Sequence, residues 1–385
     1  MAWREVSVRD EREEFVRLAG AAGANVSALC RRFGVSRSNG YKWLQRYAAE
    51  GSDGLETRSR RPRSSPSRTS EELEQAVLAI RDGSNGAWGG RKIVKVLARQ
   101  GLVGPAPSTI TGILRRHGRL ERRAGEHPGP YQRFERAAPN ELWQMDYKGP
   151  IEIGTGRCHP LTVLDDHARY SLGLRACANQ REKTVLEQLT AIFLRYGLPL
   201  AMLMDNGSPW GDAGDQPWTA LGVWLLRLGV RVIHGRPYHP QTQGKEERFH
   251  RTLKAEVLDG RFFADLNECQ RAFDRWRHIY NHERPHQGIG MAVPADRYQP
   301  SPRNFPARLP AIEYDLTDVV RNVDPNGLIS FKARRWRIGK PFRGLPVALQ
   351  PTDVDGVFAV RFCSHPLGLL DLRTSGHNLP LNQPD

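Results

Sequence analysis

A chain of 385 residues has room for two to four domains and a well-buried core. Its 39% hydrophobic and 26% charged residues are ordinary for a globular protein, and no apolar run approaches the ~20 residues needed to cross a bilayer. Lys and Arg exceed Asp and Glu by a net charge of +15, and residues 1–130 alone hold 24 basic against 14 acidic side chains. That asymmetry points to a polyanionic partner, most simply duplex DNA.

The amino terminus, beginning Met1-Ala-Trp-Arg-Glu, lacks the apolar segment of a signal peptide, so a cytoplasmic, nucleoid-associated protein is expected. Cys30, Cys158, Cys177, Cys269 and Cys363 form no Cys-x-x-Cys pair. That spacing argues against a zinc knuckle and against a disulfide framework.

Residues 8–50 read as a helix-turn-helix unit. Asn25–Phe33 forms one helix, Gly34 the turn, and Ser36–Tyr47 the helix that would enter a major groove. Leu29, Phe33, Val35, Trp43 and Leu44 supply apolar core positions, and Cys30 reads as packing where two helices cross. Gly40 inside the second helix costs about 1 kcal/mol relative to Ala. Arg37, Ser38, Lys42 and Arg46 would face DNA, although a plain helical hairpin fits the same pattern.

An Arg/Ser/Pro linker follows over 51–69, with Arg58, Arg60, Arg61 and Arg63 able either to track a minor groove or to form a solvated tether. A second helix-turn-helix unit is expected over 70–118, with helices at Ser70–Arg81, Gly90–Arg99 and Ser108–His117. Pro107-Ser108 marks the start of its last helix, and Arg115 and Arg116 lie at its exit. Arg119, Arg122 and Arg123 continue that basic run into a linker over 119–138.

From 139 to 298 the pattern changes to mixed α/β. Strands are predicted at Leu142–Tyr147, His159–Leu164, Tyr170–Ala176, Ala201–Met204 and Val230–His234. Helices are predicted at Glu182–Tyr196, Trp218–Leu228, Gln243–Leu258 and Leu266–Asn281. Three consecutive strands, then strands separated by helices, fit a mixed five-stranded sheet flanked by helices. After the proline-rich break at Pro294–Pro310, Ile329–Ile338, Leu345–Gln350 and Val357–Phe362 read as strands of a small basic β-barrel over 311–385.

The chemistry sits in three acids. Asp146 and Asp205 each end an apolar run, and Glu247 opens a basic helix. Carboxylates delivered in this way suit a pair of divalent ions acting on a phosphodiester. A lone Asp at a strand end is usually a turn former, but two of them with Glu247 in a basic chain favour ligands. On the Glu247 helix, Glu247, Arg251 and Lys254 share one face, while Phe249, Leu253 and Val257 stack on another. Lys245 and Arg248 add to the cationic surface. Glu246 is a rival for the third ligand, but it points toward the Phe249 and Leu253 side. Asp165-Asp166-His167 reads as a structural hairpin turn. His278 and His282 have zinc-like spacing without an accompanying Glu-x-x-His, so with His286 they are read as packing or DNA contacts. His239 either lines the site or serves structure.

The order Trp143–Asp146, Asp205–Gly207 and Gln243–His250 resembles the catalytic core of retroviral integrases and bacterial insertion-sequence transposases, of the insertion sequence family 481 type. The stretch Tyr280–Gly288 is similar to the one that closes this core in the bacterial members. The resemblance implies an RNase H-like fold, with Asp146, Asp205 and Glu247 as both metal ligands and catalytic residues. It further implies two Mg2+ ions (Mn2+ substituting) about 3.5–4 Å apart, and in-line phosphoryl transfer at transposon ends by a homo-oligomer on DNA. A catalytically inactive DNA-binding regulator on the same fold is the alternative. Two features depart from the family pattern. Forty-one residues separate Asp205 from Glu247, a longer gap than usual that Gly211–Pro217 accounts for, and Glu246 stands where relatives commonly carry an apolar side chain.

Overall fold

The computed structural model describes residues 7–59, 68–120, 135–205, 207, 209–210, 218–234 and 244–374. Arg60, Arg61, Arg63, Arg122, Arg123, the 211–217 loop and the 238–243 stretch with His239 lie outside the described residues. The chain divides into two compact units at Arg68/Thr69.

The first unit is three helices, α1 (Val8–Ala19), α2 (Val26–Arg32) and α3 (Arg37–Glu50). Ser7 and Asp10 cap α1 reciprocally, and Asn25 and Ser36 each accept a backbone N–H at the starts of α2 and α3. Phe15, Val16, Cys30 and Leu55 form the buried centre, ringed by Leu29, Phe33, Val35, Trp43 and Leu44.

Gly40 is the point of closest helix approach. A Cβ there would stand 2.5 Å from Cys30 Sγ and 2.9 Å from Phe15 Cζ. The lost helix propensity is therefore the cost of letting α3 cross α1 and α2. Gly40→Ala gains about 1 kcal/mol of propensity but overpacks a closed contact, which typically costs about 1–3 kcal/mol. A lower melting temperature for this unit is expected by calorimetry. An unchanged or higher one would show that the contact yields freely.

The second unit opens with α4 (Glu71–Gly83), α5 (Gly90–Arg99) and α6 (Pro107–Arg116), packed around Val77, Trp88, Ile93, Leu97, Ile110, Ile113 and Leu114. Pro107 itself occupies the first turn of α6, where its missing N–H costs nothing, and Ala106 takes the cap position. This bundle is tied to the α/β region that comes after it in the chain. Ile279 joins its core, and Arg99 makes a two-point bond to Asp296 at 2.8 and 3.2 Å.

The α/β core contains β1 (Trp143–Tyr147), β2 (Ile151–Ile153), β3 (Gly156–Asp165), β4 (Ser171–Cys177), β5 (Ala201–Met204) and β6 (Arg231–His234). The path across the sheet is β2-β3-β1-β5-β6, with β4 on the other side of β3. Strands β1, β3 and β4 are antiparallel, while β1, β5 and β6 run parallel. The five expected strands are present, and β2 is a short addition pairing with the start of β3. Helices α7 (Glu182–Tyr196), α8 (Ala220–Arg227), α9 (Gly244–Leu253) and α10 (Leu266–His282) pack on this sheet, and α9 loosens into a π-turn over Lys254–Leu258.

The C-terminal region corrects the barrel expectation. Among the described residues it forms two open sheets, one of four strands and one of two. These are β7 (Val319–Asn322), β8 (Leu328–Phe331), β9 (Arg334–Arg337), β10 (Pro346–Pro351), β11 (Val357–Phe362) and β12 (His365–Asp371). The expected strand Ile329–Ile338 is in fact a hairpin. Lys332 and Ala333 both adopt positive φ (49° and 58°), and Ile329 pairs back onto Trp336. Two consecutive left-handed residues give the type I′ geometry that matches strand twist, without the Asn or Gly that would mark it in sequence. Trp218 meets Phe342 edge to face at 5.7 Å, joining this region to the core.

Candidate active site

Asp146 lies on β1 and pairs across β3 with Thr162. In the parallel ladder Trp143 aligns with Met202 and Gln144 with Leu203, so the same offset sets Asp146 level with Asp205 at the ends of β1 and β5. Burial, and then the charge on Asp205, push the Asp146 carboxyl up to about 6 from its ordinary value of 3.8. Its Oδ1 accepts the Tyr147 backbone N–H at 2.7 Å. The Tyr147 ring stacks on Trp210 at 5.4 Å, so the chain after Asp146 is braced against the chain after Asp205.

Helix α9 crosses above this strand end. Glu246, Phe249, Leu253 and Val257 are buried, and the ring of Phe249 meets Tyr280 at 4.9 Å and Trp276 at 5.3 Å. That apolar face fixes which side of the helix turns inward. Glu246 goes in with it, at 1% exposure. Burial, followed by the Asp146 charge, holds its carboxyl well above the usual carboxylate range.

The Thr162 hydroxyl lies 2.9 Å from the Asp146 carbonyl, 3.0 Å from Glu246 Oε2 and 2.9 Å from His250 Nε2. A hydroxyl carries one hydrogen. Thr162 directs that hydrogen toward the Asp146 carbonyl and Glu246 Oε2, and the Nε2–H of a neutral His250 donates to Thr162. His250 is held neutral because burial, helped by Lys148, brings it down to about 4. The other oxygen of Glu246, Oε1, is buried and has no hydrogen-bond partner among the described residues.

Glu247 is on the exposed side of α9, with Arg248, Arg251 and Lys254. Lys148 lies within reach of the Lys254 charge. Burial and then the charge on Lys254 lower its affinity for a proton, the electrostatic situation that an anion such as phosphate relieves. Among the described residues, no three His, Cys, Asp or Glu side chains are already arranged to hold a metal ion. The acids that the structure brings together are Asp146 with Asp205, and Asp146 with Glu246.

The remaining expected contacts fall into two sets. Arg37, Ser38, Lys42 and Arg115 are exposed. Arg46 lies over the Trp43 ring at 5.1 Å, Arg58 pairs with Glu50, and Arg116 bonds buried Glu74 at 2.5 Å. Lys245, expected on DNA, donates to buried Asp166 and so anchors the first turn of α9 to the β3–β4 turn. Asp165 and Asp166 are fully buried, accepting backbone N–H groups of Asn140, Ala168 and Arg136 together with the Gln144 amide. His278 and His282 lie with their rings tilted 32° to each other at 4.8 Å on the surface of α10.

Thr162, His250 and Lys148 escaped the sequence reading. Only His250 left a signal there, its i, i+4 spacing from Glu246. Thr162 becomes visible through strand register alone.

An antiparallel trio extended by two parallel strands, with acids at neighbouring strand ends, defines an RNase H-like integrase core. Integrase core domain models match residues 136–240 and 228–294. A helix-turn-helix domain matches 11–63 and a homeodomain-like domain 39–114. The IS481 family transposase C-terminal domain matches 318–378.

An uncharacterized 39.2 kDa protein of insertion element IS476 from Xanthomonas euvesicatoria is 27% identical over 46% of this chain and 50% of its own length. A 31.7 kDa protein of IS407 from Burkholderia multivorans is 24% identical over 41% of this chain and 55% of its own. The chain thus spans about half the length of these relatives. A chain from a simian T-cell lymphotropic virus intasome structure is 14% identical, with a TM-score of 0.39 over 74% of this chain and 91% of that one. The chain is thus similar to bacterial insertion-sequence proteins and carries integrase core domains together with an IS481-type C-terminal domain.

Proposed function

We propose that the protein is a DDE transposase that binds the terminal inverted repeats of a mobile element, cleaves at their 3′ ends and joins them to target DNA. The observation that carries this is the placement of Asp146 and Asp205 at adjacent strand ends, where burial and then the Asp205 charge raise the Asp146 carboxyl, with the exposed cations of α9 on the neighbouring helix. Hard carboxylate oxygens brought side by side fit Mg2+ or Mn2+. Asp146, Asp205 and Glu247 are the proposed ligands and catalytic residues. Two such cations, when bound, would activate the attacking oxygen and stabilise the leaving one. The chain's own contribution is to hold the acids and to present Lys148, Arg248, Arg251 and Lys254 to the DNA backbone. The helix-turn-helix units position duplex ends, and the enzyme acts as a homo-oligomer on DNA. No helix among the described residues is long and apolar enough to cross a membrane.

An end-labelled duplex carrying the element's terminal repeat tests this reading. Strand-transfer product should appear with Mg2+ and vanish with chelator, while the mobility shift of the duplex persists. Duplex binding with no product under any divalent metal would favour the inactive regulator.

The same assay separates the two neighbouring glutamates. Glu246→Gln keeps an acceptor for Thr162 and carries no charge, the form that burial favours, so its product level should stay near wild type. A collapse of activity in Glu246→Gln, with Glu247→Gln unaffected, would move the ligand role to Glu246.

A further inference from the structure

The Tyr280–Gly288 segment takes no part in the chemistry above, yet its side chains reach both β4 and the end of α9. Asn281 is buried and bonds the Ser171 backbone in both directions, N–H to Oδ1 at 2.8 Å and Nδ2 to the carbonyl at 2.9 Å. Tyr280 packs on Phe249 of α9. Arg284 donates through Nε to Glu256 Oε1 at 2.9 Å, while Trp276 Nε1 donates to Oε2 of the same carboxylate at 2.8 Å. The Glu256 and Arg284 side chains are only 5% and 11% exposed. Arg284 also meets His286 Nδ1 at 3.4 Å, and His286 Nε2 lies 3.2 Å from the Tyr280 carbonyl. A neutral imidazole, which burial enforces, satisfies both contacts.

Glu256 belongs to the π-turn at the end of α9. A buried ion pair contributes little net stability against an apolar alternative, but it selects one geometry. Here the geometry matters because a π-turn holds an extra residue, and each residue of an α-helix turns by about 100°. Relaxing the turn to regular α-helix would rotate α9 about its axis by roughly the angle that separates Glu246 from Glu247.

We infer that Glu256 and Arg284 are positioning residues. By locking the π-turn they set the rotation of α9 that keeps Glu246 on Thr162 and leaves Glu247 at the rim for the metal. The inference rests on the proposed Asp146, Asp205 and Glu247 site.

The test uses the full chain with Mn2+ alone as probe, its free concentration read by electron paramagnetic resonance, alongside melting curves, duplex-end affinity and strand transfer. Arg284→Lys keeps the charge but loses the planar donors. Glu256→Gln turns an amide N–H toward a donor. Both should weaken Mn2+ binding by about tenfold or more, as loss of an outer-shell support does, with duplex-end affinity unchanged. Folded variants that bind Mn2+ and join DNA like wild type would overturn the inference. Should these two fail to fold, Trp276→Phe removes a single donor from Glu256 and carries the same comparison with the same two outcomes. Asp146→Asn run in parallel separates the levels. Wild-type Mn2+ binding and joining in that variant defeats the metal-site reading itself, whereas its loss alongside an unaffected Arg284→Lys defeats only the positioning role.

Discussion

Asp146→Asn, Asp205→Asn and Glu247→Gln are each expected to lower strand transfer by roughly three decades or more, as removal of several kcal/mol of transition-state stabilisation does. Each substitution keeps side-chain size and removes one negative oxygen from the proposed cation site. Asp146→Asn also retains the acceptor for the Tyr147 N–H. End binding should survive, because the helix-turn-helix units and the exposed cations of α9 are untouched. Product formation is measured on the labelled duplex beside a gel-shift titration. If any one of the three joins ends at the wild-type rate, that residue is not a ligand.

The second large effect runs in the opposite direction, on stability. The folded-state value of Asp146 is raised to about 6 from 3.8, so the folded protein holds a proton that the unfolded chain has already released. Stability contributed at this residue is therefore greatest at low pH, declines from about pH 4 and is lost by about pH 6. A shift of this size amounts to about 3 kcal/mol above that window, as an order of magnitude. Asp146→Asn removes the cost, so in chelator at pH 7.5 the variant should melt higher than wild type, and the advantage should fade below pH 4. Mg2+ should raise the wild-type melting temperature more than that of the variant. A variant that melts lower than wild type at pH 7.5 in chelator would show that the carboxylate is not under strain. The expected pairing of higher stability with lost activity is the usual consequence of burying a carboxylate beside a like charge at a reactive centre.

Much of this site can be read directly from local sequence. Asp146 and Asp205 were recognisable because each ends an apolar run, and a strand end is where a buried backbone meets a polar cleft. The α9 face was recognisable because Phe249, Leu253 and Val257 recur at helical spacing and force Glu247, Arg251 and Lys254 outward. The same periodicity put Glu246 inside, although its raised proton affinity comes from burial and then from the charge on Asp146, which arrives from another element. Lys245 was misleading for a related reason. A lysine in a basic stretch looks like a DNA contact until the fold sets buried Asp166 beside it. The Lys332–Ala333 turn had no local marker at all, so a hairpin passed for one strand.

Periodicity and turn chemistry act between neighbours along the chain. The sequence by itself therefore determined the helices, most strands, the basic surface and which acids stand at element ends. Strand register, the contact of Glu246 with Thr162 and the ties from Asn281 and Arg284 to β4 and the π-turn join residues far apart in the chain. Such contacts are decided by packing and desolvation in three dimensions, and only the tertiary structure could supply them.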